Sequence, residues 1–286
     1  MRQILLLLSA LFISCSTIQQ ARVSSRTTIA RGVDVIEANY TVTKEGESLP
    51  TKLFIMDVQL SDKVTVLATA AEDDNASIKA TKEEQTAIAP ISKQLEAMQA
   101  NRQNINVLGG VNADFYLIKR SNMVKGAMYR GSECLKGDID EGENLFLVLK
   151  DGSAHCMTAE EYLALDKSLI AEAVSGRQML LNDGVAQSND THLEPRTAVG
   201  VTKSGKRLFI LVGDGRRKEY SNGLSYVDMA QIFKSLGAYD ALNLDGGGSS
   251  SFCLSVGDGK FAPINRPSDR AGERFVPNGI AVVELQ

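Results

Sequence analysis

From Val33 to Leu285 the chain passes through one short β-branched or alternating apolar run after another, and helical spacing interrupts the series only three times. Val33 to Tyr40, Leu53 to Leu60 and Val64 to Ala70 are broken by Gly, Pro or Ser-Asp and read as an opening antiparallel set. Asn104 to Gly110, Leu145 to Lys150, Gln178 to Asn182 and Asp240 to Leu244 follow, with Ile280 to Leu285 as the last strand. Thr197 to Thr202 and Arg207 to Val212 form a hairpin around Lys203-Ser204-Gly205-Lys206. Helices are expected after the capping pairs Thr81/Glu84, Thr158/Glu161 and Ser225/Asp228. The first carries Ala87, Ile88, Ile91, Leu95 and Met98 at helical spacing with a bend at Pro90, and Gly237 stops the third in a left-handed cap. So few interposed helices exclude a doubly wound βαβ array. The expected class is α+β: a mixed or antiparallel sheet with a few packed helices, in a single domain without internal repeats.

The 31 Lys+Arg against 35 Asp+Glu leave a net charge of −4, so no basic surface exists to track a phosphate backbone, and nucleic acid is not the expected partner. Two histidines, His155 and His192, are a thin basis for zinc chemistry. At the front, Arg2 precedes the apolar run Ile4 to Ile13, which is long enough for an export signal and too short to span a bilayer. With Cys15 behind it, the segment resembles a bacterial lipoprotein signal. The expected organisation is a signal peptide over 1–14, a lipid-anchored Ser/Thr/Gln-rich tether over 15–32 and a catalytic body over 33–286, held at the cell envelope, periplasmic or outer-surface, through lipid on Cys15 alone. Cys134, Cys156 and Cys253 then remain. Cys134 with Cys156 is the cheaper disulfide, and three reduced, buried cysteines are the equal alternative.

Four places look like chemistry. In Ala241-Leu242-Asn243-Leu244-Asp245-Gly246-Gly247-Gly248-Ser249-Ser250-Ser251 an apolar strand ends in an acid, three glycines and three hydroxyls. Alternation puts Asn243 and Asp245 on one face, and three glycines suit a backbone that turns sharply and brings N–H groups to an anion. Gly110-Val111-Asn112-Ala113-Asp114 likewise leaves a buried strand with two polar residues spaced by two, though a self-bonded Asx turn would look the same. Arg196 and the Gly213-Asp214-Gly215-Arg216 end of its hairpin partner could hold an anionic group, against the alternative of a surface ion pair and a simple Asp-Gly turn. Around Arg177, and from Arg270 to Asn278, further polar residues sit near strand ends.

In this order the segments GVNADFY (Gly110 to Tyr116), SGRQMLLNDG (Ser175 to Gly184), RTAVGV (Arg196 to Val201), NLDGGGSSSF (Asn243 to Phe252) and PNGIAV (Pro277 to Val282) resemble the phosphodiester glycosidase family. The resemblance runs over roughly residues 50 to 286. It implies hydrolysis of a sugar-1-phosphodiester, of the N-acetylglucosamine-1-phosphodiester kind, between the anomeric carbon and the phosphate-bearing oxygen, by an exported bacterial member. Such a leaving group is a stabilised anion, so it needs positive charge and N–H donors more than a strong acid. Catalysis is then expected from Asp245 first and Asp114 second as the carboxylate that acts at the sugar carbon, with Arg196 on the phosphate. Substrate binding is expected from Asn112, Arg177, Asp214, Arg216, Asn243, Gly246, Gly247, Gly248, Ser249 and Asn278. No cofactor is expected, and the partner is a small molecule or glycan carrying the phosphodiester. Two other classes fit the same residues: a non-catalytic carbohydrate- or phosphate-binding lipoprotein, and a metal-dependent phosphodiesterase in which three or more of Asp114, Asp183, Asp214 and Asp245 gather round a divalent cation.

Overall fold

A computed structural model describes residues 21–73, 86–118 and 121–286. The expected signal peptide, Cys15 and the Thr81/Glu84 capping pair lie outside these residues. The fold is mostly β, and every pairing between its strands is antiparallel, so the mixed half of the expectation does not hold. An eight-stranded sheet takes the order Ala21–Ala30, Val33–Lys44, Glu47–Gln59, Arg207–Gly213, Arg196–Val201, Asp240–Asn243, Met179–Asn182, Val185–Ala186. A five-stranded sheet centres on Ile105–Asn112, flanked by Phe252–Gly257 and Asn278–Leu285. Another five-stranded sheet centres on Ile170–Gly176, between Met128–Arg130 and Asn144–Leu149.

The three sheets turn one face each towards a common core. Val35, Met56, Val199, Ile210 and Leu242 come from the large sheet, Val66, Leu108 and Ile280 from the second, and Phe146, Val148 and Val174 from the third. Each outer face carries a helix: α1 (Ile91–Asn101) on the second sheet, α2 (Ala159–Ala164) on the third and α3 (Tyr226–Leu236) on the large one. Central strands are therefore apolar on both sides. Along Arg207–Gly213, Leu208, Ile210 and Val212 face the common core while Phe209 and Leu211 face α3.

Local signals hold where they are purely local. Thr158 and Ser225 close reciprocal capping boxes with Glu161 and Asp228, and Gly237 ends α3 at φ +92°. Three expectations change. Helix α1 begins after Pro90 and does not bend there, because Ala89 is held in extended backbone by two 3.0 Å bonds with Val276. Residues 21–30 form a strand against Val33–Lys44, where an unpatterned tether was expected; seven of its positions are exposed, which hid it from an apolar-periodicity reading. Cys134 and Cys156 lie on opposite edge strands of one five-stranded sheet, about 19 Å apart at ~4.8 Å per strand, so they cannot form the expected bridge. Cys134, Cys156 and Cys253 are all free, and Cys134 is exposed.

Candidate active site

Strand ends from all three sheets meet at one place. Ile105–Asn112 runs out into Ala113 and Asp114, whose N–H donates to Asn278 Oδ1 at 3.1 Å. Asp245 N–H donates to Ala113 O at 2.8 Å, which ties the exit of Asp240–Asn243 to the exit of the second sheet. Asn112 Nδ2 donates to Asp245 O at 2.6 Å, while its Oδ1 accepts from Thr197 Oγ1 at 2.9 Å and from Ser251 N–H at 3.2 Å. Asn112 therefore clamps three segments together. Its amide is spent on the scaffold and has little left for a ligand. Asn278 is placed similarly, bonding Asp114 on one side and donating to Met128 Sδ at 3.5 Å on the other.

Three carboxylates stand around this junction. Asp114 is 1% exposed; its Oδ1 accepts the Ser175 N–H at 2.7 Å and its Oδ2 has no hydrogen-bond partner. Burial pushes its pKa up to about 7, with hydrogen bonds from Ser175 and Asn278 opposing and the Glu143 charge adding to the rise. Glu143 has a wholly buried carboxyl beside the Arg177 guanidinium, Nε to Oε1 3.0 Å, without an aligned hydrogen bond to either oxygen. Burial raises its pKa to about 7 against the pull of Arg177 and Lys125. Asp245 is half-buried, and burial raises it to about 6, opposed by the Ser249 hydroxyl, Arg274 and the Gly246 N–H. Carboxyls held near neutrality at converging strand ends are the arrangement expected of acid–base machinery. The sequence reading missed Glu143, which sits in the acidic stretch Asp138-Ile139-Asp140-Glu141-Gly142-Glu143 with nothing local to distinguish it from its solvated neighbours.

The triglycine turn is explained by close approach more than by donated N–H groups. A Cβ on Gly246 would lie 2.7 Å from Pro195 O, and one on Gly248 2.1 Å from Arg274 Nη2; Gly247 has φ +61°. Two of the three N–H groups are used internally: Gly246 donates to Asp245 Oδ1 at 2.9 Å and Gly247 to Pro195 O at 2.8 Å. The expected backbone cradle is correspondingly smaller. Positive charge comes from side chains. Arg274 donates Nη1–H to Ser249 Oγ at 3.3 Å and Nε–H to Asp269 at 3.0 Å. Arg216, itself at φ +62°, is paired through Nε with Glu194 at 2.8 Å, and its Nη2 lies 3.1 Å from the Cβ position of Gly247. Arg274 was not singled out in the sequence; the only sign of it was its place in the polar stretch before Asn278.

Other expected residues lie elsewhere. Arg196 is in register with Gly213, which is in turn in register with Leu53, so the Arg196 side chain shares the α3 face of the large sheet, opposite to the neighbouring Thr197 that bonds Asn112. There its guanidinium donates to Leu224 O and His192 O, both at 3.2 Å, and stacks over Tyr226 at 4.3 Å. Asn243 is in register with Ala198 on that same face, with neither polar atom of its side chain hydrogen-bonded. Asp214 is buried and occupied: it accepts from Asn265 Nδ2 and Arg266 N–H at 2.9 Å and from Tyr220 Oη at 3.2 Å, and Asn265 in turn receives the Phe252 N–H at 2.8 Å. It braces the back of the serine run. Asp183 sits in the turn after Met179–Asn182, its N–H bonded to Asp240 at the far end of the strand leading to Asp245. The four carboxylates of the metal reading thus do not converge, and among the described residues no three His, Cys, Asp or Glu side chains form a cation-binding group. No described helix is long and apolar enough to cross a membrane.

Solved structures of other proteins share this fold. The catalytic domain of zebrafish N-acetylglucosamine-1-phosphodiester alpha-N-acetylglucosaminidase, in a form auto-inhibited by its pro-peptide, superposes with a TM-score of 0.61 at 18% identity, covering 93% of this chain and 87% of that one. A hypothetical protein from Synechocystis gives 0.59 at 14% identity, over 92% of this chain and 64% of the other. A candidate exported protein from Burkholderia pseudomallei gives 0.51 at 14% identity, over 84% and 75%. At these identities the likeness concerns the fold. No curated protein matches in sequence. The family model for phosphodiester glycosidases matches residues 105–283, a span that contains every carboxylate and arginine of the strand-end junction, and the chain belongs to the phosphodiester glycosidase family.

Proposed function

We propose that this chain hydrolyses a sugar-1-phosphodiester by breaking the bond between the anomeric carbon and the phosphate-bearing oxygen. The observation that carries this reading is Asp245: a carboxyl with its pKa at about 6, directly before a turn flanked by Arg216 and Arg274. In this reading the phosphoryl group lies on the turn against the arginines and Ser249, and the anomeric carbon faces Asp245. The breaking C–O bond leaves its electron pair on the phosphate, whose charge the guanidiniums stabilise, so no acid is needed there. Asp245 balances the oxocarbenium-like charge. Water forms the new bond to carbon, and its proton passes to a carboxylate, with Asp114 and Glu143 placed to receive it by their pKa values near 7. Arg196 has no part in this chemistry, and Arg274 takes the role first expected of it.

An N-acetylglucosamine-1-phosphodiester is the first substrate to test, on the strength of the zebrafish enzyme's name. The Arg2, Ile4 to Ile13 and Cys15 pattern supports action at the cell envelope under a lipid anchor. The deciding experiment is turnover of a panel of sugar-1-phosphodiesters in ¹⁸O-labelled water. Label in the released sugar supports glycosidic cleavage. Label in the phosphate, or no cleavage across the panel, overturns it.

A further inference from the structure

Arg216 and Arg274 approach the triglycine turn at adjacent residues, Gly247 and Gly248, and both are pinned in the same manner. Each spends its Nε on a carboxylate, Glu194 at 2.8 Å and Asp269 at 3.0 Å. Among the described residues, neither terminal nitrogen of Arg216 nor Nη2 of Arg274 has a hydrogen-bond partner, so these stay available to a ligand. Both guanidiniums remain partly open to solvent, at 51% and 31% side-chain exposure. This is a built seat for an oxyanion, because a fork held by its Nε keeps its distal N–H groups aimed. It is also already partly neutralised. Two guanidiniums face three carboxylates, Glu194, Asp269 and the inward Asp245, of which Asp245 also feels the Lys125 charge, and the Glu194 carboxylate has the exposed His192 ring at 3.3 Å as a further contact.

We infer that Glu194 and Asp269 are specificity-determining residues that set this seat to accept a phosphoryl group with one negative charge and to disfavour one with two. The inference rests on the proposed function for its meaning: the substrate diester carries one charge, and the phosphate monoester left after glycosidic cleavage carries close to two at neutral pH. The added charge of the product meets carboxylates whose matching cations are already engaged, so release follows from the same groups that bind. Like-charge juxtaposition is a general means of rejecting a wrong ligand.

The test measures binding of dimethyl phosphate and monomethyl phosphate to the full chain at pH 8, by ligand-observed NMR. Neither probe has a glycosidic carbon, so turnover plays no part. The parent protein is expected to bind dimethyl phosphate more tightly than monomethyl phosphate. Glu194→Gln and Asp269→Asn are each expected to tighten monomethyl phosphate by about fivefold, the upper range for one exposed charge, and dimethyl phosphate, with half the charge, by only about twofold, so that the ratio between the two ligands falls. Arg274→Gln should weaken both. Equal or tighter binding of the monoester by the parent, or an unmoved ratio in both carboxylate variants, overturns the inference. A protein that prefers the diester but cleaves nothing in the labelled-water panel would sink the proposed function and leave the seat standing.

Discussion

Replacing Asp114 by Asn should make the protein more stable at pH 8 and not at pH 4, while lowering its activity. Asp114 is almost fully buried, and its pKa of about 7 in the folded chain compares with an ordinary 3.8. Each unit of difference is worth about 1.4 kcal/mol, so the ionised carboxylate costs the folded state on the order of 4 kcal/mol once the pH exceeds 7. Below 3.8 both states are protonated and the cost vanishes; it grows as pH climbs from about 4 to 7. Asn keeps the acceptor for the Ser175 N–H at 2.7 Å and puts an amide where Oδ2 has no partner, beside a Ser175 hydroxyl that also has none. An imperfectly satisfied amide would take back about 1–3 kcal/mol, leaving a net gain of roughly 1–3 kcal/mol at pH 8. At this chain length that corresponds to about 2–4 °C in Tm per kcal/mol. Urea unfolding of parent and variant at pH 8 and pH 4 measures the difference directly. A variant less stable than the parent by the same amount at both values would show that Asp114 is not a strained charge, and would remove it from the candidate acid–base groups.

Asp245→Asn should lower turnover of a cleavable sugar-1-phosphodiester by at least ~10²-fold with substrate binding retained, since the arginines are untouched; near-normal turnover would shift the role to Asp114 or Glu143. The rate of the parent enzyme should rise with pH through about 6 as Asp245 ionises and on through about 7 as the proton-accepting carboxylate does; Asp245→Asn should keep only the step near 7, and an unchanged step near 6 in that variant would contradict the assignment. Gly248→Ala places a methyl 2.1 Å from Arg274 Nη2, so it should displace that guanidinium and weaken substrate binding. The same change at Gly237, where a Cβ meets nothing within 4 Å, should touch stability alone through its φ of +92° and leave KM unaltered.

What could be read from the chain was what its local chemistry determines. The capping boxes at Thr158 and Ser225 and the hairpin between Arg196–Val201 and Arg207–Gly213 follow from neighbours within a few residues. The division into three sheets does not, because it depends on which distant strands pair: Asp240–Asn243 lies between Arg196–Val201 and Met179–Asn182, and no residue in it says so. The same limit governs the site. Alternation shows that Arg196 and Thr197 point oppositely, but a strand apolar on both faces gives no sign of which face reaches the junction. Arginine, the more reactive-looking residue, faces α3, and the threonine bonds Asn112.

Polar residues at the mouth of a buried strand carry an ambiguity that geometry alone resolves. Such a position must satisfy the backbone groups that the ladder no longer pairs, and a side chain that does so is unavailable to substrate. Asn112, Asn278 and Asp214 have their polar groups committed in this way to neighbouring strands and loops. Asp114 differs in a single respect, the unpartnered Oδ2. Glu143 differs more, with both oxygens buried and unbonded beside a guanidinium that is 47% exposed. A buried polar atom left without a partner is costly to keep; both polar atoms of Asn243 bear that cost on the α3 face of the large sheet, and among the carboxylates Asp114 Oδ2 and both Glu143 oxygens bear it where strands from three sheets end. A group can act when it combines an ionisable side chain with a place at the junction, as Asp114, Glu143 and Asp245 do, whereas Asn243 has the free valence without the place and Asn112 the place without the free valence.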